Sequence, residues 1–181
     1  IRLYNLMNEP NGAWMWPGGK VDYAAWERGI RNLRAAFDAR GLQAVAIAGP
    51  DNAWGWNWID RASASIPSLL GAWEMHWYAK DAEVRGGEVE RLLREKRTVV
   101  LANDPAAGAK RFFLGEAGLV EGKTNGDQQP RVRTFEYGVL MADLAAQVAR
   151  AGWQGAVAWD LDDALHVNRG GHAVPPKSDT L

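Results

Sequence analysis

Short apolar runs alternate with longer stretches in which apolar residues recur every three or four positions, the pattern of parallel strands joined by helices. The first run covers residues 3–7 and ends at Asn8-Glu9-Pro10. A loop rich in Gly and Trp follows over 11–20. Over 22–40, Tyr23, Trp26, Ile30, Leu33, Ala36 and Phe37 fall at helical spacing, with Asp22 as N-cap and Gly41 as stop. A second strand is predicted over 44–48, closed by Gly49-Pro50, and a second Trp-rich loop leads into a short helix over 56–64. Residues 72–78 read as a strand and 88–96 as a helix, while the apolar run 99–102 fits a helix end, a connector or an extra strand. A strand over 112–114 ends at Gly115-Glu116, an amphipathic helix covers 134–150, and a last strand covers 156–161. The tail 166–181, with its Gly, Pro and polar residues, reads as a loop.

Four strand–helix units and a closing strand suit either a doubly wound sheet or a segment of an eight-stranded barrel. A nucleotide-binding sheet carries a Gly-rich turn into its first helix. The nearest stretch here, Trp16-Pro17-Gly18-Gly19-Lys20, is too short for that turn and has the wrong spacing. Polar residues stand instead at the carboxyl ends of successive strands: Asn8-Glu9, Asp51-Asn52, His76 and Tyr78, Glu116 and Asp160. That rim is where barrels build their active sites. Three units separate Glu9 from Glu116 at about 36 residues each, against roughly 31 in a typical barrel. The fold class is therefore α/β, the C-terminal portion of a (β/α)8 TIM barrel, with residues 1–181 as one partial domain.

Composition narrows the chemistry. The 181 residues are 47% hydrophobic and 24% charged with a net charge of −1, and no basic stretch suggests nucleic acid or an acidic membrane as partner. No apolar run reaches membrane-spanning length, and nothing resembles a signal peptide; the chain opens directly on a strand pattern, so any targeting segment is expected upstream. With no cysteine, disulfides, thiolate metal sites and a cysteine nucleophile are excluded. Three scattered histidines, His76, His166 and His172, do not make a histidine-rich metal site. The unusual number is ten tryptophans, whose flat faces suit the stacking of sugar rings.

Asn8-Glu9-Pro10 at one strand end, His76-Trp77-Tyr78 at a later one, Gly115-Glu116 later still and then Trp159 resemble clan A of the glycoside hydrolases. The likeness is greatest to family 5, with family 39-like features in Asn8-Glu9-Pro10-Asn11 and Ala48-Gly49-Pro50. It covers essentially the whole chain. In that clan the first glutamate ends strand four of the barrel and the second ends strand seven, which maps the visible strands to four through eight. The resemblance therefore implies three strand–helix units before Leu3 and a helix after the last loop, needed for closure. Upstream strands of the family commonly supply a substrate-binding arginine, which has no counterpart here.

What the resemblance implies is a retaining hydrolase of β-glycosidic bonds in oligo- or polysaccharides, with no cofactor and no metal, located outside the cytoplasm. Glu9 would be the acid/base, kept protonated, and Glu116 the nucleophile, kept ionised; a retaining mechanism needs both. Asn8 would bond the sugar 2-hydroxyl. His76 and Tyr78 share parity along their strand, and so point to one side. Tyr78 would donate to Glu116, and His76 would contact the sugar or orient a neighbour. Glu74 shares that parity as a possible third buried acid. Trp159 would lie beneath the sugar, and the loop residues Trp14, Trp16, Trp54, Trp56 and Trp58 would line further subsites. Trp26, Trp73 and Trp153 are expected to be packing residues. Asp160, Asp162 and Asp163 are expected to be solvated loop acids. Two other readings stay open: a non-catalytic sugar-binding or scaffold barrel, and a metal-dependent sugar isomerase-like barrel using Glu9, Glu116, His76 and Asp160.

Overall fold

The computed structural model describes residues 2–123 and 129–159; Asp160, Asp162, Asp163 and the tail predicted over 166–181 lie outside them. Five strands, β1 (Leu3–Asn5), β2 (Ala46–Asn52), β3 (Ala72–Ala79), β4 (Arg111–Leu119) and β5 (Gly155–Ala158), form one sheet in sequence order, every pair parallel. Between them run α1 (Tyr23–Asp38), α2 (Asn57–Ser65), α3 (Asp81–Arg85), α4 (Glu88–Asn103) and α5 (Phe135–Arg150). The sheet curls into an open half-barrel with helices packed along it, a partial TIM-barrel-like arrangement. The curl is visible in one contact. Asn5 on β1 hydrogen-bonds Glu74 on β3 at 3.2 Å across the whole of β2, although two strand spacings of a flat sheet separate their backbones.

Helix formation follows the predicted periodicity. The Asp22 side chain accepts from Ala25 N at 2.9 Å to cap α1, which buries Tyr23, Trp26 and Ile30. Thr134 caps α5 in the same way, and Tyr137, Leu140, Leu144 and Val148 form its buried stripe. The unplaced run 99–102 is the last stretch of α4. Val100 lies seven residues after Leu93, on the same face, and both are fully buried, so packing overrides the strand preference of Thr98-Val99-Val100.

β1, β2 and β4 differ in length from expectation, and β5, predicted over 156–161, ends at Ala158. β1 ends at Asn5, whose side chain accepts from Met7 N at 2.8 Å and turns the chain. β2 does not close at Gly49-Pro50, a cis peptide bond, but runs on to Asn52. The β2–β3 register pairs Pro50 with Glu74 and Asn52 with Met75, so Asp51 is an extra residue bulged out of β2. β4 continues past Glu116 to Leu119 because β3 pairs with it as far as Ala79. Its register jumps from Leu114 to Glu116 against consecutive residues of β3, leaving Gly115 as a second bulge.

β3 itself is regular, and its two faces divide the molecule. Trp73, Met75 and Trp77 are buried on one face within the hydrophobic core. Glu74, His76 and Tyr78 line the other, as the shared parity predicted.

Candidate active site

Glu9 sits in the turn after β1 with φ of +43°, and Asp51 at its bulge has φ of +58°; they are the two non-glycine residues with left-handed backbone among the described residues. Both hold the same histidine. His76, only 3% exposed, has Nδ1 3.0 Å from Glu9 Oε1 and Nε2 2.6 Å from Asp51 Oδ1. Its Nδ1 also lies 3.5 Å from Glu116 Oε2, which accepts a 2.7 Å hydrogen bond from the Tyr78 hydroxyl. Glu9, His76 and Glu116 thus present atoms all within 4.8 Å of one another. Below them Glu74 bonds both Asp51 and Asn5.

Local sequence makes room for this crowding. A Cβ on Gly115 would stand 2.1 Å from Glu74 Oε1, so the bulge is glycine where Glu74 needs space. A Cβ on Gly118 would meet Tyr78 Cδ1 at 3.0 Å, and its absence lets the Tyr78 ring cross β4 to reach Glu116. The loop carrying Glu9 is tied by Gly12 N to Glu9 O at 2.8 Å and by the Trp16 indole N–H to Pro10 O at 2.6 Å.

The titration behaviour reflects the packing. Burial, then the adjacent Asp51, pushes Glu74 up to about 8, so it carries a proton at neutral pH. Burial alone would lower the His76 pKa, but the hydrogen bonds to Asp51 and Glu9, with the charges of Asp51 and Glu116, raise it to about 10. His76 is then an imidazolium donating from both nitrogens. Burial also raises Glu116, opposed by the Tyr78 hydrogen bond and the His76 charge. The Nδ1–H of the imidazolium is directed at Glu9, the residue expected to act as the acid.

Among the described residues two groups offer donor atoms at metal-binding separation, Glu9 with His76 and Glu116, and Asp51 with Glu74 and His76. Both require a lone pair on His76, and both of its nitrogens face carboxylate oxygens at donor distance. The donor set fits protons better than a metal ion.

The carboxylates open onto a cleft of about 1010 Å³ with Asn8, Trp14, Trp54, Trp56 and Trp159 on its walls. Trp14 and Trp54 are 55% and 64% exposed and touch at 5.0 Å between ring centroids, an apolar shelf at the mouth. Trp56 is bound more deeply than a loop subsite implies, with its indole N–H on His76 O at 3.1 Å and its ring 4.2 Å from Trp77. Trp159 N bonds Ala117 O at 2.8 Å, which holds that residue beside β4. Two tryptophans depart from their predicted place. Trp16 packs against the core with its N–H spent on Pro10 O and is not on the cleft wall, and Trp58 is buried between Tyr23 and Trp26. Trp16 lies in a loop that turns toward the core and Trp58 on the buried face of α2, which composition does not reveal. Asp51 was legible only as one rim acid among several; its bond to His76 depends on the bulge.

No protein-family model and no curated protein matches the chain. Among solved structures, a 4-O-α-L-rhamnosyl-β-D-glucuronidase from Fusarium oxysporum 12S is similar with a TM-score of 0.60 at 16% identity, over 87% of this chain and 36% of that one. A family 51 α-L-arabinofuranosidase from Bifidobacterium longum is similar with a TM-score of 0.55 at 13% identity, over 86% of this chain and 37% of that one. At such identities the likeness is one of fold, and the chain spans little more than a third of either enzyme.

Proposed function

We propose that this chain carries the catalytic rim of a retaining glycoside hydrolase, related to clan A and its family 5, that cleaves β-glycosidic bonds in oligo- or polysaccharides outside the cytoplasm. Strands beyond those described would complete the barrel. The observation that carries the reading is that one oxygen of Glu9 and one of Glu116 come within 4.8 Å of each other, both beside Nδ1 of His76. Retaining enzymes hold their two carboxyl groups about 5–5.5 Å apart, whereas inverting enzymes need roughly 6.5–9.5 Å to admit a water. The two solved neighbours, both glycosidases by description, support the choice of reaction class.

In this reading Glu116 attacks the anomeric carbon and the glycosidic oxygen leaves with the proton of Glu9. The bond from the Tyr78 hydroxyl keeps the attacking carboxylate ionised beside a second acid. Water then displaces the sugar from Glu116 as Glu9 takes up its proton. Asn8, on the wall beside Glu9, contacts the sugar 2-hydroxyl, Trp159 supports the ring being cleaved, and the Trp14–Trp54 shelf receives a more distant sugar.

The test is a screen of the intact protein against β-glucans, mannans and xylans with product analysis, followed by Glu9→Ala on the best substrate. The variant is expected to lose turnover on substrates with poor leaving groups, to keep glycosylation by activated aryl glycosides, and to recover deglycosylation with azide. Equal loss on both substrate types without azide rescue rejects the assigned roles.

A further inference from the structure

We propose that Asp51 is a positioning residue of a proton relay, Asp51–His76–Glu9, in which Asp51 holds the imidazole by its Nε2–H so that the Nδ1 proton is aimed at Glu9 and supplied to it. The inference rests on the glycosidase reading and names the source of its acidic proton.

Geometry carries it. Asp51 is not on the cleft wall, so it acts through His76 and not on the sugar. At 2.6 Å its contact with Nε2 is the shortest around the ring, and Nδ1 is left with Glu9 Oε1 at 3.0 Å. His76 is enclosed by groups from four elements: Glu9 after β1, Asp51 on β2, Glu74 and Tyr78 on β3, and Glu116 on β4. Four carboxyl groups around one imidazole cannot all be buried as anions, and Glu74, bonded to Asp51, takes one proton of its own. The backbone supports the same assignment. The left-handed φ values at Glu9 and Asp51 occur on the two residues that grip the ring.

The step balances. The His76 Nδ1–H bond breaks, the Glu9 Oε1–H bond forms, and the imidazolium becomes a neutral imidazole that keeps its Nε2–H on Asp51. The charge lost from the ring is the negative charge lost from Glu9. Glu9 then gives this proton to the leaving oxygen, takes one back from the incoming water and returns it to Nδ1, so the imidazolium is restored between turnovers.

The experiment is nitrogen NMR of the three histidines in the full, isotopically labelled chain, with His166→Gln and His172→Gln identifying His76 by elimination. At pH 8 the wild-type ring is expected to show two protonated nitrogens. Asp51→Asn, whose asparagine tolerates left-handed backbone, is expected to lower the titration midpoint by about 1–3 pH units. The alkaline limb of kcat on substrates with poor leaving groups should move down with it, and glycosylation by aryl glycosides should not follow. Glu74→Gln should leave the ring doubly protonated, which separates loss of the Asp51 charge from general disturbance of the pocket. A wild-type His76 with one ring proton at pH 8, or an unaltered titration in Asp51→Asn, overturns the relay. The ring signals are read without substrate. A chain that shows them yet cleaves no glycoside keeps its Asp51-held imidazolium and loses the glycosidase reading instead.

Discussion

Charge is buried at both ends of β3, and the two ends are built on opposite rules. Near its start, Asp104 accepts from Lys110 Nζ at 2.7 Å, Trp73 Nε1 at 3.2 Å and Ala106 N at 3.0 Å, and Lys110 also bonds Pro67 O at 2.6 Å. One acid meets one base, and each of these donors has an acceptor. At its other end Glu9, Asp51, Glu74 and Glu116 gather around the imidazolium of His76, with left-handed backbone at two of them. A balanced pair fastens the loop after α4 to the sheet. The acids in excess of the one imidazolium repel one another, which lowers the stability of the fold in exchange for groups whose protons can move.

The largest effect should come from breaking the crowded end at Glu9. Glu9→Ala is expected to slow turnover of unactivated glycosides by about 10²–10⁴-fold. Its denaturation midpoint should hardly change, because a crowded carboxylate is being removed. Next is the balanced end. Lys110→Ala leaves Asp104 buried without its cation and should cost about 3–5 kcal/mol in denaturant unfolding, while activity below the melting temperature is retained. The opposite ranking, with Glu9→Ala unfolding the chain and Lys110→Ala silent, would erase the distinction.

The pH dependence of stability sharpens it. Glu74, ordinarily near 4.5, is raised to about 8 in the fold, so between these values the native state binds more protons than the unfolded one. Stability from this group must fall as pH rises through that window. His76, ordinarily near 6.5 and raised to about 10, adds a loss of the same sign between those values. Unfolding free energies measured from pH 5 to pH 9 should decline, and Glu74→Gln should flatten the lower part of the decline. The smallest effects belong to the cleft mouth. Trp14→Ala should raise KM for long oligosaccharides by about 2–10-fold, if sugar stacking matches the 0.5–1.5 kcal/mol of an aromatic pair, and spare short ones. Trp159→Ala should lower kcat on every substrate.

How much of this was legible differs between the same two ends. The alternation of apolar runs and helical periods was enough for five parallel strands, and Trp73 was recognisable as core, because burial patterns repeat locally. The parity of Glu74, His76 and Tyr78 was readable because β3 carries no extra residue of its own. What could not be read were the bulges at Asp51 and Gly115, which arise from register between strands far apart in sequence. With them went the Asp51–His76 bond and the true lengths of β2 and β4. The five-residue α3 was also missed, since so short a helix has no period to detect.

The central claim, that Glu116 is the nucleophile of a double displacement, is tested most directly by trapping. Incubation with an activated 2-deoxy-2-fluoroglycoside of the sugar found in the screen, followed by proteolysis and mass spectrometry, should locate one glycosyl group on the peptide containing Glu116. The same sugar on another carboxylate, or steady turnover of substrate with no label on any peptide, would contradict it.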